Sequence, residues 1–134
     1  MAPTPHVLVV DDDFDARCLL DLALSSAGYA VEFAANGAEA LAASRRLRPD
    51  VILLDLKMPV MDGFAFRAAQ LVDPGLAAIP VICVSGEYDA DEAARSLKLE
   101  GFVAKPFSLD DLMGRVGALT GRDPADNEGG RSAP

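Results

Sequence analysis

Cysteine, histidine and basic residues are scarce in this sequence, and each shortage narrows the class of protein. Only two cysteines, Cys18 and Cys83, occur among the 134 residues. Both lie in apolar helix-like or strand-like patterns, so we predict that they are reduced, packed residues of a cytoplasmic protein. The single histidine, His6, has no partner in the sequence, and we assign it no role. The 12 basic residues against 21 acidic ones give a net charge of −9, which disfavours binding to nucleic acid and to anionic membranes.

Long hydrophobic runs are also missing. No apolar stretch approaches the roughly 20 residues of a membrane helix, and the N-terminus does not resemble a signal peptide. Hydrophobic residues nevertheless make up 51% of the chain and charged residues 25%, which is typical of one globular domain. We predict an N-terminal extension over 1–5, a domain over 6–120 and a disordered, Gly- and Pro-rich tail over 121–134.

Short apolar runs alternate with helical patterns along the whole domain. Runs typical of buried strands occupy 6–10, 29–34, 51–54, 81–84 and 101–104, and helical patterns follow each of them. The third helix begins after Gly63 and is expected to bury one face, made of Ala65, Ala68, Ala69 and Val72. A fourth helix is expected over about 89–97, and Ser108 is expected to cap the last one. Five βα units predict an α/β fold, a doubly wound parallel sheet with helices on both faces.

Polar residues end four of the five predicted strands. The first strand ends at Asp11 and Asp12, the third at Asp55, the fourth at Ser85 and the fifth at Lys105. In a parallel sheet these ends meet at one edge, where open α/β sheets bind ligands. Three carboxylates close together favour a divalent cation, and oxygen ligands favour Mg²⁺. A cation, an ammonium and a hydroxyl around a carboxylate are the requirements of phosphoryl transfer, with Asp55 as the nucleophile.

Four stretches carry a specific resemblance. In order, VLVVDDD, VILLDLKMPVMDG, VICVSGE and FVAKPF resemble the receiver domain of two-component response regulators, the CheY-like family, over about residues 6–119. The resemblance implies a flavodoxin-like (βα)5 fold with strand order 2-1-3-4-5. The stretch from Ser85 to Lys105 is shorter than is usual in the family, and position 102 is Phe where Tyr is commoner.

The resemblance also assigns roles at matching positions. Phosphorylation falls on Asp55, with Ser85 and Lys105 contacting the phosphoryl group. The metal ligands are Asp12, assisted by Asp11, together with Asp55 and the backbone carbonyl of Lys57. The remaining positions form a conformational switch and a pair that tunes the rate of dephosphorylation: Ser85 and Phe102 for the switch, Lys57 and Glu87 for the rate.

These roles imply a single-domain response regulator, a Mg²⁺-dependent phosphoprotein of phosphorelay signalling. It would take its phosphoryl group from a histidine kinase or histidine phosphotransfer protein and act on an unknown protein target, as a monomer or weak dimer. It would phosphorylate and dephosphorylate itself without being a turnover enzyme. Two alternatives stay open. One is a haloacid-dehalogenase-type phosphatase, whose D-x-D pattern Asp11 and Asp13 match superficially. The other is a receiver-like adaptor that works without phosphorylation.

Overall fold

The computed structural model describes residues 4–56, 58, 60–86, 95, 97–104 and 108–121. Their strands are β1 (His6–Val10), β2 (Ala30–Ala34), β3 (Val51–Leu54), β4 (Val81–Ser85) and β5 (Gly101–Ala104). The helices that can be assigned there are α1 (Phe14–Ser26), α2 (Gly37–Leu47), α3 (Gly63–Val72) and α4 (Leu109–Thr120). Most of the helix expected over about 89–97, and the tail beyond Gly121, lie outside the described residues. No described helix is both long and apolar enough to span a bilayer.

The five strands form one parallel sheet with the order β2-β1-β3-β4-β5, as predicted. β1 and β3 lie next to each other at its centre, with Val10 opposite Leu54. The chain therefore winds outward in both directions from β1, which places β2 and β5 at the two open edges. The carboxyl ends of β1, β3 and β4 consequently lie side by side.

Alternate side chains of the strands point into two separate cores. On one face Leu8, Ile52 and Cys83 pack with Ala40 of α2 and Phe66 of α3. On the other face the intervening strand residues pack against α1 and α4: Val9, Leu53 and Val84 of the strands, Leu24 of α1 and Val116 of α4. Because both faces are covered, the central strands are apolar throughout, which is why they appear as continuous runs in the sequence.

Each helix begins at a side chain that accepts a hydrogen bond from the first turn. Asp13 caps α1, Asn36 caps α2, Asp62 caps α3, and Ser108 caps α4 as predicted. These caps satisfy amides that have no partner within the helix, and they fix the residue at which each helix starts. The cap of α1 therefore lies two residues after Asp11, and the helix starts at Phe14.

The predicted buried face of α3 is wrong. The helix buries Phe66, Arg67 and Gln70, whereas Ala65 and Ala68 are exposed and Val72 is 82% exposed. Ala69 is half-buried. The expectation assumed that apolar residues mark the core-facing side of the helix. Here two polar side chains occupy the core because their heads donate hydrogen bonds to backbone carbonyls there.

The prediction for the cysteines is half right. Cys83 is buried in β4, but Cys18 is exposed on α1. Leu20 and Leu24 face the core from that helix. Since each helical residue turns by about 100°, Cys18 lies on roughly the opposite side of α1 from Leu20. It therefore contributes no core packing.

Ser44 carries a hydroxyl that the core does not satisfy. Its side chain is fully buried in α2, and within the described part of the chain its Oγ has no hydrogen-bond partner. We predict that Ser44→Ala raises the free energy of unfolding by about 1 kcal/mol, because a buried polar atom is removed and alanine favours helix. Urea denaturation measures this. Ser26→Ala, an exposed serine at the end of α1, should change stability by less than about 0.5 kcal/mol. Destabilisation by Ser44→Ala would contradict the prediction.

Candidate metal and phosphoryl-transfer site

Backbone pairing in the sheet continues for one residue beyond β1, toward β2, and for one residue beyond β3, toward β1, and so reaches the site. The Asp55 amide donates to the carbonyl of Val10 over 2.9 Å, and the Asp11 amide donates to the carbonyl of Ala34 over 3.0 Å. The two aspartates therefore extend the register in which Val10 lies opposite Leu54. In parallel strands, residues in such register project to the same face. The sheet itself thus brings the two carboxylates together.

Asp12 completes a cluster of three carboxylates. One oxygen from each of Asp11, Asp12 and Asp55 lies within 4.8 Å of the other two. Asp11 and Asp55 are 3% and 8% exposed, whereas Asp12 lies at the surface. The Asp11 carboxylate also accepts a hydrogen bond of 2.9 Å from the Asp13 amide, which fixes its orientation next to the start of α1. The cluster is therefore part buried and open to solvent on one side.

Ser85 ends β4 beside this cluster and is 1% exposed. Among the described residues its hydroxyl has no hydrogen-bond partner. A buried hydroxyl is normally satisfied, so an unsatisfied one at a ligand-binding edge is available to a bound group. Phe102 lies on β5, half-buried, and packs against the core that contains Cys83.

The turn after Asp55 is held by a glycine that admits no side chain. A Cβ on Gly63 would lie 2.6 Å from the carbonyl oxygen of Asp55 and 2.7 Å from the Cα of Leu56. The Gly63 amide donates to the carbonyl of Leu56 over 3.0 Å. The first turn of α3 therefore packs directly on the backbone of Asp55. In the sequence this requirement appears as the Asp-Gly pair of the turn.

A second close contact supports the same turn, and the sequence pattern did not predict it. The Gly37 amide, at the start of α2, donates to the carbonyl of Met61 over 2.7 Å. A Cβ on Gly37 would lie 2.7 Å from the Cγ of Met61. Residue Val60 precedes this contact with a φ of 68° and is 88% exposed. This left-handed turn orients the Met61 carbonyl toward α2. Both α2, through Gly37, and α3, through Gly63, therefore contact the turn that follows Asp55.

Four of the predicted site residues come together at this edge: Asp11, Asp12, Asp55 and Ser85. Phe102 lies one strand further along, on β5. Lys57, Glu87 and Lys105 lie outside the described residues, so the metal contact, the rate tuning and the phosphate contact assigned to them stay predictions. The roles of the four residues at the edge are likewise predictions, now with a geometry to support them.

Replacing Gly63 should disturb the site through the backbone of Asp55. We predict that Gly63→Ala lowers the free energy of unfolding by about 1–3 kcal/mol, because the methyl group overlaps backbone atoms that cannot move aside freely. Gly114→Ala is the matched control, since a Cβ there meets nothing within 4 Å. It should stabilise α4 by about 0.5–1 kcal/mol. Urea unfolding of both variants measures the difference, and equal stability of the two would contradict the close approach.

Comparison with known proteins agrees with the fold. A family model described as the response regulator receiver domain matches residues 7–117. The transcriptional regulatory protein PrrA of Mycobacterium bovis is 38% identical over 122 residues, which cover 89% of this chain and 51% of that protein. Sporulation initiation phosphotransferase F of Bacillus subtilis is 34% identical over 111 residues, covering 82% of this chain and 89% of that protein. The chain thus spans about half the length of the PrrA relatives.

Solved structures lead to the same family. The chemotaxis response regulator CheY4 of Vibrio cholerae superposes with a TM-score of 0.80 at 33% identity, over 87% of this chain and 99% of that one. A response regulator receiver protein from Pseudomonas putida gives a TM-score of 0.81 at 31% identity, over 88% and 99%. Receiver domains are phosphorylated on an aspartate and bind Mg²⁺ in an acidic pocket. This chain belongs to the response regulator receiver family.

Proposed function

We propose that this receiver accepts a phosphoryl group on Asp55 in a Mg²⁺-dependent reaction and signals through the resulting change in protein binding or by passing the group on. The observation that carries the proposal is the cluster of Asp11, Asp12 and Asp55, with one oxygen of each within 4.8 Å. In this cluster, the backbone of Asp55 is fixed by its hydrogen bond to Val10 of β1 and by the close packing of Gly63 on its carbonyl. A firmly held carboxylate suits an acceptor that must attack in line.

The cluster fits Mg²⁺ by its chemistry. Its donors are carboxylate oxygens only, as hard cations prefer, and the exposed position of Asp12 leaves the site open to water and phosphate oxygens. Asp11, Asp12 and Asp55 would hold the ion, with the carbonyl of Lys57 as the further ligand that the family resemblance implies. The bound cation supplies positive charge that offsets the carboxylates and the transferring phosphoryl oxygens.

The chain's own residues then carry the transfer. A carboxylate oxygen of Asp55 attacks the phosphorus of a partner's phosphohistidine, and a P–O bond forms as the P–N bond breaks. The electron pair of that bond stays on the imidazole nitrogen, which takes up a proton. Ser85 donates its hydroxyl to a phosphoryl oxygen, and Lys105 neutralises another. Hydrolysis reverses the modification when water attacks the phosphorus and Asp55 leaves as the carboxylate.

The relatives support two modes of output. We propose the single-domain mode, in which the phosphoryl group goes to a histidine phosphotransfer protein or alters binding to a target. It is supported by sporulation initiation phosphotransferase F, of which this chain covers 89%. The PrrA relatives are named transcriptional regulators and support the other mode, a receiver that controls an attached output domain. In either mode the net charge of −9 disfavours direct binding of nucleic acid by the receiver.

We further propose that the protein is a signalling module of the cytoplasm, and that each molecule carries one phosphoryl group at a time without catalytic turnover of a substrate. Membership of the receiver family argues against the haloacid-dehalogenase alternative, which would phosphorylate Asp11. The adaptor alternative predicts that neither phosphate nor Mg²⁺ is needed for binding to the target. The next two predictions separate these possibilities.

Asp55→Asn should abolish phosphorylation by acetyl phosphate or by a kinase while the protein stays folded, because the amide is a poor nucleophile. Asp50→Asn makes the same change at the other end of β3, where the exposed side chain accepts a hydrogen bond of 2.7 Å from the His6 amide. An asparagine oxygen can keep that bond, so this control should be phosphorylated like the wild type. Intact mass and peptide mapping measure the stoichiometry and the position. Phosphorylation of Asp11 would support the haloacid-dehalogenase alternative. A stoichiometry of phosphorylation in Asp55→Asn equal to that of the wild type would refute the proposal.

Mg²⁺ should stabilise the wild-type protein by mass action, by about 2.7 kcal/mol at 100 times the dissociation constant. Asp12→Asn should cancel most of this gain, yet be more stable than the wild type without Mg²⁺, because it removes one of three like charges. Asp15→Asn, an exposed acid of α1 outside the cluster, should keep the Mg²⁺ response. Thermal unfolding with MgCl₂, against NaCl at equal ionic strength, measures both effects. If millimolar Mg²⁺ does not change the melting temperature of the wild type, the result favours the adaptor alternative.

A further inference from the structure

Arg67 is a buried cation in the middle of α3. It is 3% exposed, and its guanidinium donates from Nε to the carbonyl of Leu97 over 2.8 Å and from Nη2 to the carbonyl of Lys98. Its Nη1 donates to Oε1 of Gln70 over 2.8 Å. Leu97 is helical and Lys98 has a φ of 52°, so the guanidinium binds the carbonyls at which a helical segment ends.

The same network extends to the first residues of β4 and β5. Glu100 lies 3.9 Å from Nη2 of Arg67, and its Oε1 accepts from the Val81 amide over 2.7 Å. The Glu100 amide donates back to the carbonyl of Val81 over 3.0 Å. Gln70 donates to the carbonyls of Leu76 and Ile79, over 3.0 and 2.9 Å, in the segment that leads into β4. We call Arg67, Gln70 and Glu100 the clasp.

The clasp holds the amino ends of two strands whose carboxyl ends carry site residues. Val81 begins β4, which ends at Ser85, and Gly101 follows Glu100 and begins β5, which carries Phe102. At its own start, α3 packs on the carbonyl of Asp55 through Gly63. The start of α3 therefore packs on the acceptor aspartate, and Arg67 and Gln70, in its middle and second half, bind the segments that lead into β4 and β5.

A buried guanidinium resists any movement of its partners. Burial lowers the pKa of Arg67 from its usual value, the Glu100 carboxylate opposes that shift, and the guanidinium stays charged at neutral pH. A charge in the interior is tolerated only while its donors are satisfied, so a displacement of residues 97–100 would leave a desolvated cation without acceptors. Nearer the site, the Ser85 hydroxyl has no hydrogen-bond partner among the described residues to lose.

We infer that Arg67 is a positioning residue that fixes residues 97–100 as a pivot, so that phosphorylation moves only the carboxyl ends of β4 and β5. The inference rests on the proposed function, because the movement is the response to a phosphoryl group at Asp55. The pivot converts a pull on Ser85 into rotation about Val81 and Glu100 and not into sliding of the strands. Phe102, two residues beyond the pivot, is then the first side chain of β5 that is free to turn.

The first experiment needs no variant. Amide NMR spectra of the wild-type protein are recorded with Mg²⁺, before and after addition of beryllofluoride, a mimic of the phosphoryl group. We expect large shift changes at Asp55, Ser85 and Phe102, and changes at Val81 and Leu97–Glu100 no larger than those in the middle of α2. Changes at residues 97–100 as large as those at Ser85 overturn the pivot. A spectrum without change at Asp55 and Ser85 overturns the proposed function, and the pivot with it.

The second experiment tests the clasp directly by hydrogen exchange in the absence of any mimic. In Arg67→Met we expect the amides of Val81 and Glu100 to exchange about tenfold faster or more, relative to those of β1, because charged hydrogen bonds that hold their segment are lost. Arg115→Met is the matched control, since this exposed arginine also lies against β5, within 3.2 Å of where a Cβ on Gly101 would be, but bonds to Asp111.

Two further measurements distinguish a positioning role of Arg67 from a general contribution to stability: hydrogen exchange in Arg67→Lys and the response of the variants to beryllofluoride. Arg67→Lys keeps the charge but has one ammonium for three acceptors, so exchange at Val81 and Glu100 should fall between wild type and Arg67→Met. With beryllofluoride, the shift changes in both variants should spread into residues 97–100, and those of Arg115→Met should not. Faster exchange throughout the protein without that spread would show that Arg67 only stabilises the fold, and would overturn the inference.

Discussion

Three like charges held at one edge of the sheet are the constraint on which the rest of the molecule depends. The carboxylates of Asp11, Asp12 and Asp55 repel one another, but backbone hydrogen bonds hold the two buried aspartates in place: Asp55 bonds to β1 and Asp11 to β2. The two apolar cores supply the stability that this arrangement uses. Carboxylates held in mutual repulsion favour a cation between them, and the proposed phosphoryl group would change the charge of this edge. The central strands are therefore both the most buried and the most functional part of the fold.

Buried polar side chains lie at both ends of the sheet, and they differ in whether their hydrogen bonds are satisfied. At the carboxyl end, the Ser85 hydroxyl lacks a partner in the described structure, and the carboxylates crowd one another. At the amino end, Arg67, Gln70 and Glu100 form a network in which the donors of the guanidinium meet carbonyl and amide oxygens. An unsatisfied site responds to a ligand, and a satisfied one stays in place. This contrast gives the domain one end that changes and one end that does not.

The sequence was sufficient for the strands and for the acidic cluster, because both follow from strong local patterns. Apolar runs such as Val51–Leu54 are long enough to show two buried faces, and a parallel sheet must then bring their ends together. The strand order came from the family resemblance and not from the pattern. The prediction for the buried face of α3 was wrong because Arg67 is buried through its hydrogen bonds to the carbonyls of residues 97 and 98. These residues are distant from Arg67 in sequence. The prediction that Cys18 is buried was wrong because Leu20 and Leu24 occupy the buried side of α1. Contacts such as Gly37 with Met61 leave no periodic signal.

The spread of the acidic site along the chain has a consequence for folding kinetics. Its members follow β1, β3 and β4, and neighbouring parallel strands are joined by long crossover connections. Such non-local pairing makes folding slower than in helical bundles of similar size. During synthesis Asp11 leaves the ribosome long before Asp55 and Ser85, so a nascent chain that stops before Ser85 lacks part of the site. The carboxylates and the hydroxyl reach one edge only when β1, β3 and β4 have paired, so the site forms with the tertiary structure of the sheet and not with any single local segment.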